Sequence, residues 1–203
     1  KNIPVAAGLA GGSTDAAAVL FGLGQLWPDR LSSGQIAEIA VRTGADVPFC
    51  LTGGTALCEG IGELLTPLPP WTDLPVLLAC PGQPLLTAQV FAAWQTAGPT
   101  IRPATDDVIK AIRRRDLATL AASSANVLES VSYDLMPELA LIRQRLLASG
   151  AVMAQMSGSG PTVFGLFASQ AALEQAVAAL HKDLPAVRLI SCRSTAAGPR
   201  RGC

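Results

Sequence analysis

Between Pro67 and Pro75 the chain carries four prolines in nine residues, Pro67-Leu68-Pro69-Pro70-Trp71-Thr72-Asp73-Leu74-Pro75. Proline fixes φ and has no backbone N–H, so such a run can continue neither a helix nor a central strand. It is the expected boundary between two units, 1–71 and 72–193, with 194–203 as a loose tail. Apolar residues make up 50% of the 203 and charged residues 15%, with mean hydropathy +0.39, which gives both units ample core material and excludes disorder for most of the chain. Fifteen Lys plus Arg balance fifteen Asp plus Glu, and beyond Arg113-Arg114-Arg115 and Arg200-Arg201 there is no basic cluster. No nucleic-acid partner is expected from such a balance. No apolar run approaches the roughly 20 residues that span a bilayer, so no membrane partner is expected, and Lys1-Asn2-Ile3-Pro4 is not a signal peptide.

The five cysteines, Cys50, Cys58, Cys80, Cys192 and Cys203, are irregularly spaced without a Cys-x-x-Cys pair, and the single His181 cannot complete a zinc set. They read as free or buried thiols of a reducing compartment, the cytoplasm, with no structural metal site. Monomer and homodimer both remain open.

Periodicity predicts a helix over 14–26, with Ala16, Val19, Leu20, Leu23 and Leu26 on one face. A second helix is predicted over 33–43, with Ser32 as N-cap and Gly44 as its stop. A short strand is predicted over 55–58. After the prolines, Val76 to Cys80 reads as a buried strand, followed by helices near 87–96, 106–114, 116–125 and 137–148. Strands at 152–156 and 162–167 flank a Gly-Ser-Gly turn, and a helix over 170–182 leads to a last strand at 187–192. Strand, helices, strand, strand, helix, strand is the split βαβ order of a ferredoxin-like α+β sandwich.

The stretch most informative about chemistry is Pro4 to Leu20, PVAAGLAGGSTDAAAVL. Gly8, Gly11 and Gly12 lead into Ser13-Thr14-Asp15 and an Ala-rich helix. Glycines let backbone approach a ligand closely, and the unpaired N–H groups of a first helical turn attract an anion, naturally a phosphate. Ser13 and Thr14 can add hydrogen bonds or reach a phosphate-bound Mg²⁺, and Asp15 can complement the helix dipole as a first-turn carboxylate. A plain Gly-rich turn into a capped helix accounts for the glycines equally well. The pattern is neither a P-loop nor a Rossmann fingerprint. Asp46, after the Gly44 stop and before Pro48, sits in an expected loop as a cap or as a carboxylate turned into a cleft. Ser157-Gly158-Ser159-Gly160 reads as a hairpin turn.

Pro-x-x-x-Gly-Leu-x-Gly-Gly-Ser-Thr-Asp-Ala-Ala resembles the second motif of the GHMP small-molecule kinases. The resemblance continues in order through Gly44-Ala45-Asp46-Val47-Pro48-Phe49, Glu59-Gly60-Ile61-Gly62-Glu63, Pro81-Gly82 and Met156-Ser157-Gly158-Ser159-Gly160-Pro161-Thr162-Val163-Phe164, covering residues 1 to about 192. It implies the C-terminal half of a domain like domain 2 of ribosomal protein S5, followed by a ferredoxin-like domain, with the active cleft between them. It implies transfer of the γ-phosphate of ATP, assisted by Mg²⁺, to a hydroxyl of a small molecule. In that frame Pro4, Ala6, Ala7, Gly8, Leu9, Ala10, Gly11, Gly12, Ser13 and Thr14 hold ATP phosphate, and Asp46 is the general base. Thr87, Phe91, Gly158, Ser159 and Gly160 join Asp46 in binding the acceptor.

Phe91 resembles one side of a stack around a cytosine base, although Val90 and Trp94 beside it make a core position the default. Asn126 and Glu129 match a recurrent Asn-x-x-Glu, and exposed capping accounts for them equally well. Pro161 stands where the family pattern has a small residue and removes one N–H from that loop; Ala10 replaces a frequent glycine and Thr14 a frequent serine. The family's first motif, with a Lys and an Asn near the transferred phosphate, has no counterpart here, since Lys1 directly precedes the phosphate loop. A missing N-terminal segment and little kinase activity from these 203 residues alone are therefore expected. A homoserine or mevalonate type of GHMP kinase, or a non-catalytic nucleotide-binding module on the same scaffold, are the rival readings.

Overall fold

The computed structural model describes residues 3–98, 102–196, 198 and 199. The residues up to Leu9 belong with Asp73–Ser194 in one compact unit, and Ala10–Thr72 with the residues from Thr195 onward in a second. Lys1, Arg200, Arg201 and Cys203 lie outside the described residues.

The second unit opens with α1 (Gly11–Leu26) and continues through α2 (Ser33–Thr43), α3 (Val47–Thr52), β1 (Thr55–Glu59) and β2 (Leu64–Leu68). Ala17 and Leu20 of α1, Ala40 of α2 and Val47 of α3 form its buried cluster, flanked by Ile36, Cys50 and Leu51. Helix α2 has the predicted ends. The Ser32 hydroxyl accepts from the Gln35 N–H at 3.3 Å, and the Ser32 N–H donates to Gln35 Oε1 at 2.9 Å, a reciprocal capping box. At its other end the Gly44 N–H closes on the Ala40 carbonyl.

Three features depart from the sequence reading. Helix α1 begins at Gly11, three residues early, so Asp15 falls beyond the first turn. Asp46 is the N-cap residue of a short helix rather than a loop residue, because Pro48 in the first turn of α3 surrenders an N–H that has no intrahelical partner anyway. Pro67 is within β2, opposite Ala56, since a two-stranded antiparallel ribbon has outer edges where a missing N–H costs little.

The first unit contains β3 (Pro75–Cys80), α4 (Thr87–Ala97), α5 (Thr105–Arg114), α6 (Leu117–Ser123), α7 (Glu129–Leu135), α8 (Glu138–Ala148), β4 (Met153–Met156), β5 (Val163–Leu166), α9 (Gln170–Asp183) and β6 (Arg188–Arg193). Its sheet has the order β4-β5-β3-β6 with every neighbouring pair antiparallel. In chain order that is second, third, first, fourth, the ferredoxin-like arrangement expected from the element sequence. Leu77 and Ala79 of β3 point to the same side as Ala154, Met156 and Val163, and pack under Leu139, Ile142 and Leu146 of α8 and Leu173, Ala176 and Leu180 of α9. Burying each of the larger aliphatic side chains contributes about 1.5–3 kcal/mol, so this layer is the main source of the unit's stability.

Candidate active site

In the second unit the functional candidates gather at the start of α1. The residue before the helix, Ala10, lies in the left-handed region at φ 47°, and no side chain caps the N-terminus. The N–H groups of Gly11, Gly12 and Ser13 therefore have no intrahelical partner, and two of those residues have no side chain to obstruct an approaching group. Thr14 closes the turn: its N–H donates to the Ala10 carbonyl at 2.8 Å, and its hydroxyl donates to the same oxygen at 3.0 Å. The Thr14 hydroxyl also lies 3.7 Å from Cys50 Sγ.

Cys50 connects α1 with Asp46. Its N–H donates to the Asp46 carbonyl at 3.0 Å. Partial burial pushes the Cys50 thiol up, the Thr14 hydroxyl opposes that shift, and the Asp46 carboxylate adds to it. Cys58 on β1 is likewise raised, by burial first and by Asp46 second. The carboxylate makes no capping hydrogen bond to α3 and is exposed. The turn between β1 and β2 backs this segment: Gly62, at φ 119°, packs so closely that a Cβ there would lie 3.1 Å from the Ala45 carbonyl oxygen. The Glu59-Gly60-Ile61-Gly62-Glu63 motif thus has a local task, supporting the residue before Asp46.

In the first unit the β4–β5 loop lies directly on the turn-rich segment leading to Gly8. Ser157 Oγ donates to the Gly8 carbonyl at 2.7 Å, and the Thr162 N–H donates to the Ala7 carbonyl at 3.3 Å. A Cβ on Gly8, whose φ is 69°, would come 2.4 Å from the Ser157 carbonyl oxygen and 2.7 Å from that of Gly160. Only glycine permits that approach. Pro4, Ala6 and Ala7 line a cavity of about 270 Å³ together with Pro81, Gly82 and Pro161.

Thr87 heads α4, and its hydroxyl lies 2.8 Å from that of Ser159, so two predicted acceptor-binding residues hydrogen-bond each other. Phe91 does not take the core position: Val90 is fully buried in its place, while Phe91 is 46% exposed. Phe91 and Trp94 line a cavity of about 730 Å³ whose wall includes Asn126, Gln155 and Gly158. Asn126 and Glu129 turn out to be more than exposed caps. The Asn126 side chain donates to the carbonyls of Met156 and Gly158, and Glu129 accepts from the Met156 N–H. Their spacing in the sequence marks them out, but their partners lie some thirty residues away and are invisible without the fold.

Residues 1–54 match the GHMP kinases N terminal domain, and residues 108–186 match the GHMP kinases C terminal. The chain belongs to the GHMP kinases. It is 48% identical over 176 residues to the 4-diphosphocytidyl-2-C-methyl-D-erythritol kinase of Lachnoclostridium phytofermentans, a match covering 87% of this chain and 60% of that one. Against the enzyme of the same name from a Synechococcus species, identity is 45% over 196 residues, 92% of this chain and 63% of the relative. The chain thus spans about three fifths of the length of the curated relatives it matches. A crystal structure of 4-(cytidine 5'-diphospho)-2C-methyl-D-erythritol kinase superimposes with a TM-score of 0.78 at 34% identity, covering 95% of this chain and 68% of that one. The homoserine kinase of Cytophaga hutchinsonii shares the fold, with a TM-score of 0.79 at 20% identity over 98% of this chain and 69% of that chain.

Proposed function

We propose that this chain serves an ATP-dependent kinase that phosphorylates the 2-hydroxyl of 4-diphosphocytidyl-2-C-methyl-D-erythritol, a step of the non-mevalonate isoprenoid pathway. The observation that carries the reading is the pairing, within one unit, of an uncapped N-terminus on α1 with the exposed carboxylate of Asp46, which makes no capping hydrogen bond, both beside Cys50. The N–H groups of Gly11, Gly12 and Ser13 face phosphate oxygens, where the helix dipole adds favourable potential. Asp46 takes the proton of the attacking hydroxyl, and positioning supplies most of the remaining rate.

Pro4, Ala6, Ala7, Gly8, Leu9 and Ala10 belong to the ATP-binding residues, and Gly158, Ser159 and Gly160 to those that bind the acceptor. Thr87 hydrogen-bonds the acceptor, and the exposed ring of Phe91 stacks on its cytosine, a contact worth about 1–3 kcal/mol. Mg²⁺ enters with ATP. The Ser13 and Thr14 hydroxyls are hard oxygen donors that would suit it, with phosphate oxygens and water completing its shell, and the ion would neutralise charge on the transferred group. The four described free thiols suit a reducing cytoplasm, and among the described residues no helix is long and apolar enough to cross a membrane.

Thermal unfolding with added ligand tests this. A ligand at 100 times its dissociation constant adds about 2.7 kcal/mol of stability. ATP and 4-diphosphocytidyl-2-C-methyl-D-erythritol are expected to raise the midpoint, and homoserine and mevalonate to leave it unmoved. A shift with homoserine or mevalonate instead transfers the chain to a rival acceptor class. A shift with ATP alone favours a nucleotide-binding module.

A further inference from the structure

We propose that Asn126 and Glu129 are positioning residues that set the conformation of the β4–β5 loop and, through it, the backbone entering the phosphate-binding segment and the start of α4. The proposal deepens the kinase reading and rests on it for its functional consequence. Strand β4 lies at the edge of its sheet, so the backbone groups that point away from β5 have no strand to pair with. Side chains take that place. Arg143 Nε donates to the Ala154 carbonyl at 2.9 Å, and two residues further on Glu129 Oε1 accepts from the Met156 N–H at 2.7 Å. Asn126 Nδ2 then donates to the Met156 carbonyl at 3.0 Å and to the Gly158 carbonyl at 2.7 Å.

The remaining side of the Asn126 carboxamide is fixed as well, since its Oδ1 accepts from the Leu128 N–H at 3.0 Å. With its oxygen committed to a donor and its nitrogen to two acceptors, the amide has one usable orientation. No carboxylate can replace it, because an anion would face two carbonyl oxygens. Glu129 needs only an acceptor oxygen at Oε1, which a glutamine also offers.

The geometry then transmits this fixation within the unit. Ser157, between the two carbonyls held by Asn126, donates to the Gly8 carbonyl. Ser159, one residue past Gly158, hydrogen-bonds Thr87. The Thr162 N–H, on the far side of the loop, donates to the Ala7 carbonyl. Releasing Met156–Gly158 frees all three of those contacts, although neither Asn126 nor Glu129 contacts any of these partners itself.

The test compares Asn126→Asp, Glu129→Ala and Glu129→Gln in the full chain by two readouts: the dissociation constant for ATP from calorimetry, measured well below each variant's unfolding midpoint, and residue-resolved amide exchange. Asn126→Asp is expected to weaken ATP binding by at least about tenfold, equivalent to about 1.4 kcal/mol. It should also speed exchange at the Thr162 amide while leaving α9 protected. Glu129→Ala follows in the same direction, and Glu129→Gln restores both readouts. Unchanged ATP affinity in folded Asn126→Asp, or protection lost uniformly across the unit, overturns the proposal and leaves the two residues a purely structural role. Should the unsubstituted chain bind no ATP, the kinase reading fails by itself. Exchange at Thr162 then decides the positioning claim alone: faster in Asn126→Asp upholds it, unchanged overturns it.

Discussion

Helices α1 and α2 belong to the same unit and begin in opposite ways. α2 starts with Ser32 and Gln35 locked in a reciprocal box, so two donors at its N-terminus are satisfied by side chains before any ligand arrives. α1 starts from Ala10 in a left-handed conformation with no side-chain acceptor, followed by two glycines. A non-glycine residue at positive φ costs of order 1 kcal/mol, and an absent cap costs about as much again. Side chains cap the start of one helix, and the start of the other is left open at a stability cost. An end left open where backbone N–H groups converge is what a phosphate site requires, and the closed end of α2 is the internal control for it.

The largest effect that can break this comparison lies at the carboxylate beside the open end. Asp46→Asn keeps the shape and removes the proposed base, and is predicted to lower phosphoryl transfer by about 10²–10⁴-fold with ATP affinity nearly unchanged. The assay follows label from γ-labelled ATP into the acceptor, with parent and variant both joined to a preceding segment that supplies the family's first motif. Transfer within about twofold of the parent would remove Asp46 from its role and leave the open helix as a binding device alone.

Gly12→Asp comes next and probes the open end itself. Nothing lies within 4 Å of a Cβ placed on Gly12, so the substitution fits sterically. It sets a carboxylate at the positive end of α1, which is predicted to stabilise the free protein by roughly 0.3–1 kcal/mol while it repels phosphate and abolishes measurable ATP binding. Gain of stability with loss of binding is a signature that simple damage does not produce. ATP binding that survives in Gly12→Asp would place the nucleotide elsewhere.

The matching change in the control helix is Ser32→Ala, predicted to cost about 1 kcal/mol in chemical denaturation and to leave ATP affinity alone. A comparable loss, about 0.5–1 kcal/mol or somewhat more, is predicted for Gly62→Ala. There the left-handed backbone and the Ala45 carbonyl at 3.1 Å both oppose a Cβ. The two variants differ in reach, since Gly62 supports the residue before Asp46. Phosphoryl transfer falls in Gly62→Ala and stays level in Ser32→Ala; equal behaviour of the two would show that the β1–β2 turn does nothing for the carboxylate.

How far the residues alone disclose such a difference depends on where the determining interaction lies. The ends of α2 are legible because a capping box is local: Ser32, Gln35 and Gly44 carry it themselves. The ferredoxin-like order is legible for a similar reason, as apolar runs and helical periodicity alternate along the chain. The start of α1 is misread by three residues because glycine is a poor helix former, and tertiary packing of Ala17 and Leu20 overrides that propensity. Pro48 and Pro67 are read as breakers, although a first helical turn and a ribbon edge both tolerate proline. Asn126 and Glu129 are ambiguous because their partners are backbone atoms of Met156 and Gly158, which no spacing rule reaches. Within the candidate site, local states escape the sequence: Asp46 is on a helix N-cap, and Phe91 on an exposed face instead of in the core.

The smallest effect concerns the thiols that share Asp46's surroundings. Cys50 and Cys58 both have thiols raised above the ordinary value of 9.0, by partial burial and then by the Asp46 carboxylate. A raised acid in the folded state binds its proton more tightly there than in the unfolded chain. Its contribution is therefore fully present below the unfolded value and is lost as pH climbs through the folded one. Stability should accordingly decline above about pH 9 by a modest amount, since Cys58 is exposed and Cys50 only partly buried. Cys50→Ser removes part of that decline, and so does Asp46→Asn, because each deletes one member of the interacting pair. Urea midpoints measured from pH 8 to pH 10.5 give the slope. A slope indifferent to Asp46→Asn would mean that the carboxylate does not face Cys50, which undoes the link between Asp46 and the open end of α1 through their shared neighbour.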